Sequence, residues 1–412
     1  MMIELKEALR IVRDSARLLG TERVELGDAL GRILAEDVAS DIDMPPFDKA
    51  TMDGYACRRA DLGNPLTVVE TIPAGAVPVK AVGPNQCAKI MTGAAVPQGA
   101  DCVVMIEQTE AVGETAIRFT GEDTADHIFR RATDVKMGQV VLSKGSQISP
   151  QDVAVLASVG QVQPLVATRP RVGVIASGDE LLPPAVRPGP SQIRNSNGPQ
   201  LVAQLAALDL KARDYGIVKD VARDIDTVLK TALAENDVVI VSAGVSVGDF
   251  DLVPAALQRR GVRLLFEKIA VKPGKPTVFG VFERGYAVSR ASSPRFEGGT
   301  PSTQAYCFGL PGNPVSTFVI FELIVKPFLY RLMGHDYAPV YVQMRLEAAL
   351  VRKDTDRQSW IPVRITSEQA VEPVQYHGSG HLAALCRAGG LVPMEIGVAS
   401  LERGAPVPVR LL

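Results

Sequence analysis

Three stretches beyond residue 170 gather carboxylates, lysines and glycines at spacings that suit a phosphorylated ligand. One reads Ser177-Gly178-Asp179-Glu180. A second runs from Ser242 to Asp251 and carries Gly244, Ser246, Gly248, Asp249 and Asp251. Glycines in such loops let backbone N–H groups approach a phosphate, and the N-terminus of the following helix adds a favourable dipole. Asp249 and Asp251 would repel a phosphate but suit Mg²⁺, which takes a few carboxylates together with ligand oxygens. The third stretch, Lys268 to Pro276, places Lys268, Lys272 and Lys275 around a Pro-Gly turn whose geometry Pro273 and Pro276 restrict. Lysine is a point charge suited to oxyanions. A fourth, Leu310 to Ser316, starts a helix at Pro314 with Ser316 in its first turn, where free N–H groups make an anion site. Each also has a plainer reading: turn glycines, capping aspartates, solvated lysines, an ordinary helix start. Two acidic loops on one sheet edge favour the functional one. Farther away, Pro45 to Tyr55, Lys89 to Ala94, and Asp134 read as turns when taken alone.

The elements that must position these loops alternate. Strands are expected at Arg171–Ile175, Asp214–Val218, Asp237–Val241, Val262–Phe266 and Tyr306–Leu310. Between and after them come helices at Pro199–Leu208 (with Asn197 as cap), Val221–Ala234, Leu252–Arg260 and Pro314–Met333, the last with a possible kink at Pro327. Wholly apolar strands alternating with helices imply a doubly covered, mainly parallel sheet, and ligands bind such sheets beyond the carboxyl ends of the strands. Before this unit, Leu5 to Leu19 follows helical spacing and Gly20 closes it. From about Ser40 to Gly145 short apolar runs between Gly and Pro read as β structure, and Gln151–Ser158 as a short helix. After Gly334 the alternation stops, and strands are expected at Val340–Leu350, Gln358–Thr366 and Ala405–Leu412. Ser289 to Thr303 is polar and rich in Gly, Pro and Ser, a loop between two strands.

Bulk properties narrow the class. A chain of 412 residues holds two to four domains at ~100–200 residues each. The net charge of -2, without a basic run, does not suggest a nucleic-acid surface. The five cysteines are scattered without a CxxC and the four histidines are dispersed, which fits a reducing compartment and no zinc cluster. No apolar run approaches the ~20 residues of a membrane span and no signal peptide is apparent, so a cytoplasmic location is expected.

Together these segments resemble the molybdopterin molybdenumtransferase family, related to the C-terminal domain of gephyrin. The resemblance rests on PPFDKATMDGYA at 45–56, KIMTGAAVPQGADCVV at 89–104, ASGDEL at 176–181, SAGVSVGDFD at 242–251, KPGKP at 272–276, GLPGNPVS at 309–316 and HGSGHLAALCRAGGL at 377–391, in one order along nearly the whole chain. It implies a four-part subunit: 1–55 with 143–170 as an elongated, dimerising region, an inserted β domain at 56–142, the α/β domain at 171–334, and a C-terminal β domain at 335–412. It further implies a homodimer whose cleft the second subunit completes.

The implied reaction joins molybdate to adenylylated molybdopterin, with AMP leaving and molybdenum held by the pterin dithiolene. By the resemblance, Glu180, Asp220 and Asp251 lie in the nucleotide and Mg²⁺ region, with Asp53 and Thr92 approaching from outside the sheet and Asp134 nearby. Molybdate is placed near Lys272, Lys275, Pro276 and Ser316, with Arg357 and Ser379 from the C-terminal domain and Lys268 at the cleft. Two departures stand out. KDTDRQSW lacks a glycine before Arg357, and Asp134 follows Ala132-Thr133 where the family shows Gly-Glu. Transient contact with the adenylyltransferase or with molybdoenzyme apoproteins is a further implication. The adenylyltransferase that shares the α/β fold is the main alternative, but it is a smaller protein with a Gly-Gly-Thr-Gly type of loop where this chain has Ser242-Ala-Gly-Val-Ser. A non-enzymatic scaffold role and a preference for tungstate are the others.

Overall fold

The computed structural model describes residues 2–242, 252–284, 303–374 and 378–412. Its centre is a six-stranded sheet of β1 (Val172–Ser177), β2 (Ala212–Val218), β3 (Val238–Ser242), β4 (Arg263–Lys268), β5 (Pro276–Glu283) and β6 (Gln304–Leu310), in the order β2-β1-β3-β6-β5-β4. The strands β2, β1, β3 and β6 run parallel; β5 is antiparallel to both β6 and β4. The expected alternation and double covering hold. In β1, β3 and β6 every residue is buried, as apolar runs with no polar alternation require.

Side-chain alternation divides the sheet between two cores. Val172, Val174, Val238, Ile240, Phe308 and Leu310 point to one side. There they meet Leu201 and Leu205 of the helix Asn197–Ala206, the helical run from Pro314 to Leu332, and Ala8 and Val12 of the N-terminal helix Leu5–Ser15. Ile175, Val239, Val241 and Cys307 point to the other, against the helices Ala222–Glu235 and Leu252–Arg259. Burying each such side chain contributes about 1.5–3 kcal/mol. The helical run after Pro314 holds a π turn, Phe321–Val325, just ahead of Pro327. A proline has no N–H for the carbonyl one turn back, and a π turn is one way for a helix to absorb that defect.

Two expectations change in detail. The N-terminal helix stops at Ser15, where Ala16 turns extended, four residues short of Leu19. Asn197 lies inside its helix, and the side chain that accepts from the helix start is that of Asn195, bonded to Gly198 N–H at 3.0 Å. The loop Ser289–Thr303 falls outside the described residues except for Thr303.

The first half of the chain folds back on itself. Residues 21–23 pair with 165–167, 38–39 with 140–142, and 49–50 with 128–129. Between these pairings lies a mixed six-stranded sheet containing Gly54–Cys57, Leu66–Ile72, Gln86–Ile90 and Cys102–Met105. At the other end, Tyr341–Leu346, Gln358–Ile365, Ala370–Pro373, Gly390–Met394 and Pro406–Leu411 close into a barrel, because Gln358–Ile365 pairs with both Ala370–Pro373 and Gly390–Met394. The barrel is joined to the α/β unit by backbone pairing: Val271 and Lys272 run parallel to Gln358 and Ser359.

Candidate active site

The carboxyl ends of β1 and β3, and the loop after β6, come together around two buried serines. Ser177 and Ser242, the last residues of β1 and β3, are each 1% exposed. Ser177 Oγ donates to Asp220 Oδ1, which ties the loop after β2 to the end of β1. Asp220 N–H bonds Asp179 Oδ1 at 3.2 Å, and the Lys219 ammonium donates to the Asp179 carbonyl at 2.9 Å. Glu180 is exposed next to these groups, its backbone carbonyl accepting from Ile193 N–H at 2.9 Å. Thus Glu180 and Asp220 stand on neighbouring loops at one sheet edge. The remaining residues of that edge, Gly244, Ser246, Gly248, Asp249 and Asp251, lie outside the described residues. Among the described residues no cluster of three or more His, Cys, Asp or Glu side chains could hold a metal. Two protein carboxylates with phosphate oxygens and water suit Mg²⁺, which keeps part of its hydration.

Asn197 is a site residue that its place beside a helix start concealed. Its Nδ2 donates to Ser242 Oγ at 2.8 Å and to the Gly312 carbonyl at 2.7 Å, so one amide joins the end of β3 to the loop after β6. Both partners fix which end of the amide faces them, since the Gly312 carbonyl only accepts.

The lysine turn forms the other half. The strand β4 ends at Lys268, whose carbonyl accepts from Ile3 N–H, and the chain crosses to β5 through Val271, Lys272, the cis bond to Pro273, Gly274 and Lys275. Lys272 and Lys275 are exposed, whereas Pro273 and Gly274 are buried. Gly274 has φ +128°, and a β-carbon there would run into Ile320 of the helix Pro314–Ile320. Only glycine fits, so the turn lies directly on the helix that carries Ser316. Ser316 is 3% exposed. In the loop before that helix, Asn313 Nδ2 donates to Ser379 Oγ at 2.8 Å, and Val315 N–H in the helix bonds the Ser379 carbonyl at 3.2 Å. Pro276 opens β5, pairing with Lys268.

Arg357 arrives from the barrel because its neighbours Gln358 and Ser359 pair with the lysine strand. Its guanidinium donates to Asp354 Oδ2 at 2.8 Å, and Lys272 Nζ lies 3.8 Å from the same oxygen. The Arg357 guanidinium, the Asp356 N–H and Lys272 hold the Asp354 carboxyl below the usual carboxylate range. Lys272 and Arg357 therefore meet at Asp354, while Ser379 is bonded to the start of the helix that carries Ser316. Asp354 is a residue that no motif signalled.

Asp53 and Thr92 meet each other. Asp53 Oδ1 accepts from Thr92 N–H at 2.6 Å and Thr92 Oγ1 at 2.7 Å, and these bonds hold the Asp53 carboxyl below its ordinary value. Asp53-Gly54 is more than a turn: Gly54 opens a strand, and a β-carbon on it would collide with the Val104 carbonyl of the next strand. Asp134 N–H bonds the Met44 carbonyl at 3.0 Å on the neighbouring segment. The same loop carries Ala132 at φ +60°, a left-handed position that glycine adopts freely. Among the described residues no hydrogen bond or ion pair joins Asp53, Thr92 or Asp134 to the α/β sheet edge.

A parallel sheet edge with acidic and serine-bearing loops, backed by a lysine turn and a closing barrel, defines an α/β domain of the molybdopterin-binding type within a longer multidomain chain. Residues 3–160 match the model of the MoeA N-terminal region (domain I and II), 173–331 that of a probable molybdopterin binding domain, and 346–412 that of the MoeA C-terminal region (domain IV). The chain is 34% identical over 425 aligned positions, 99% of its length and 95% of the relative's, to molybdopterin molybdenumtransferase of Staphylococcus epidermidis. It is 37% identical over 338 positions, 79% of its length and 74% of the relative's, to that of Bacillus subtilis. A crystal structure of the molybdopterin biosynthesis moeA protein from Pyrococcus horikoshii superposes with a TM-score of 0.82 at 29% identity, covering 100% of both chains. The chain belongs to the molybdopterin molybdenumtransferase (MoeA) family.

Proposed function

We infer that this chain is a transferase of molybdenum cofactor biosynthesis that inserts molybdenum from molybdate into molybdopterin. The observation that carries the reading is the Asn197 amide that joins the end of β3 to the loop after β6, a loop that in turn bonds Ser379 of the C-terminal region, so that two unlike half-sites can face one substrate. One presents Glu180, Asp220 and the loop leading to Asp251. The other presents Lys272, Lys275, Ser316, Arg357 and Ser379. An adenylylated substrate suits the first half and an oxyanion the second. In this reading the substrate is adenylylated molybdopterin and AMP leaves as molybdenum joins the dithiolene. Glu180 and Asp220, with Asp251, would hold Mg²⁺, which would neutralise the phosphoanhydride and make phosphorus more electrophilic. Lys272 and Arg357 hold the molybdate dianion by charge, and Ser316 and Ser379 offer hydroxyls to its oxygens. Lys268 and Pro276 frame the turn, and Lys275 adds charge at its far end.

The four-part division into 1–55 with 143–170, 56–142, 171–334 and 335–412 belongs to the same proposal, as does a homodimer. Among the described residues the exposed Asp53–Thr92 pair and Asp134 make no bond to the α/β sheet edge, which in this reading leaves them to face the cleft of a second subunit. The adenylyltransferase alternative is disfavoured by the N-terminal and C-terminal regions that this chain matches outside the α/β domain. The same two half-sites suit a tungstate-preferring inserter equally. No helix of the described residues is long and apolar enough to cross a membrane. A cytoplasmic location and passing contact with the adenylyltransferase and apoenzymes complete the proposal.

The test is AMP release from adenylylated molybdopterin. Release should require both molybdate and Mg²⁺, and Asp251→Ala and Lys272→Ala should each weaken it. Parent-like behaviour of both variants, or efficient adenylylation of molybdopterin with ATP alone, would overturn the assignment. For the dimer, co-expressed Asp53→Ala and Lys272→Ala chains should regain activity that neither has alone. Failure to complement would put both residues in the cleft of one chain.

A further inference from the structure

Lys272 and Arg357 face a single carboxylate oxygen. Asp354 Oδ2 accepts from Arg357 at 2.8 Å and lies 3.8 Å from Lys272 Nζ, and Oδ1 accepts from Asp356 N–H at 3.1 Å. Its loop is pinned from behind. Arg352 donates to the Val398 carbonyl at 2.7 Å, and to the Arg357 carbonyl and Ser359 Oγ at 2.6 Å each. The carboxylate is therefore held beside the two cations by bonds at both of its oxygens, with limited room to swing away. Side-chain exposures of 47%, 39% and 21% for Lys272, Asp354 and Arg357 show the trio open to solvent, not sealed as a structural ion pair.

We propose that Asp354 is the built-in counter-ion of the oxyanion clamp and keeps the clamp's hold on its anion loose. This rests on the reading of Lys272 and Arg357 as the molybdate site. Two cations alone would match a dianion charge for charge. With Asp354 among them the trio carries +1, so a bound dianion stays short of neutralised and remains free to pass on to the dithiolene. Tighter holding of the substrate ion would lower its KM without speeding the transfer. A unit charge about 6 Å from a dianion, in water-like dielectric, corresponds to about a tenfold change in affinity.

The experiment is equilibrium dialysis of sodium molybdate, sodium tungstate and sodium sulfate against the full-length parent, Asp354→Asn, Asp354→Ala and Lys272→Ala. Asparagine keeps the acceptor for Arg357 but removes the charge. Asp354→Asn should bind all three dianions about tenfold tighter and by the same factor, because a charge effect is blind to ion identity. In turnover the apparent KM for molybdate should fall while kcat does not rise. Asp354→Ala, which also frees Arg357, should bind more weakly than Asp354→Asn. If Asp354→Asn does not fold, Asp354→Ser serves the same comparison. Unchanged or weaker binding by the charge-neutral variant, with Lys272→Ala weakened, would overturn the counter-ion inference alone. Parent-like binding by Lys272→Ala would instead overturn the placement of the oxyanion site.

Discussion

Gly274→Ala tests whether the lysine turn owes its position to the helix beneath it. Two costs add. The φ of +128° is a glycine-only region, where an alanine carries about 1–3 kcal/mol of strain. The new β-carbon would also lie 2.6 Å from Ile320 Cγ1 and nearer still to Cδ1, and overpacking of this kind costs about 1–3 kcal/mol. The sum is about 2–6 kcal/mol if nothing moves. Ile320 is fully buried in the core, whereas the turn is flanked by the exposed Lys272 and Lys275, so the turn yields first. The turn is held by Ile269 N–H to the Lys275 carbonyl at 3.0 Å and Thr277 Oγ1 to the Gly274 carbonyl at 2.7 Å, and a shift strains both while moving Lys272 and Lys275 off the clamp. Urea unfolding should show a loss of at least about 2 kcal/mol, and molybdate dialysis a loss of at least about tenfold, with far-UV circular dichroism at parent level. Adding Ile320→Val removes Cδ1 and should recover part of both losses. Stability within about 0.5 kcal/mol of the parent together with normal molybdate binding would refute the claim that this contact sets the turn.

Three further outcomes follow from the same structure. Asp237 is 4% exposed between Arg171, bonded at 2.8 Å, and Arg284, 3.6 Å away; burial alone would raise its carboxyl, but the two guanidinium groups outweigh that and hold it low. A lowered carboxylate contributes stability above its unfolded pKa, lost as pH falls through the folded one. Asp237→Asn should therefore cost about 3–5 kcal/mol in urea unfolding at pH 7, and much less near pH 2. Ala132 occupies φ +60°, so Ala132→Gly should raise stability by about 1 kcal/mol in the same assay, with a loss instead showing that the loop is not strained. Of the five cysteines, Cys386 alone is exposed, while burial pushes Cys87 and Cys307 up to about 12. Native protein should accordingly release one equivalent of thiol quickly to a disulfide reagent and the rest on unfolding.

Legibility in the sequence followed local signal strength. The strands β1, β3 and β6 were readable because they are apolar on both faces, and the helix Pro150–Ser158 because Pro150 opens it; the reciprocal cap of Ser149 and Asp152 is a signal the reading did not use. The strand β5 went unnamed, since Pro276 and the lysine turn ahead of it look like loop. The meeting of Lys272 with Arg357 was implied by resemblance, and no periodicity could have shown it, because it depends on a two-residue strand joining the barrel. Asp354 carried no signal in an ordinary polar loop. Asn197 did carry one, a polar residue at a helix start, but the simpler reading as a cap absorbed it. Asp53 and Thr92 find each other through neighbouring strands, yet their path to the α/β cleft lies outside what one chain shows.

The most direct measurement is the ratio of molybdenum transferred to AMP released. Purified chain, adenylylated molybdopterin, molybdate and Mg²⁺ would be combined, and the product tested for its power to activate a molybdoenzyme apoprotein. One AMP should appear for each molybdenum bound to the pterin, with both falling together in Lys272→Ala. AMP release without molybdenum in the product, or full transfer by Lys272→Ala, would contradict the account.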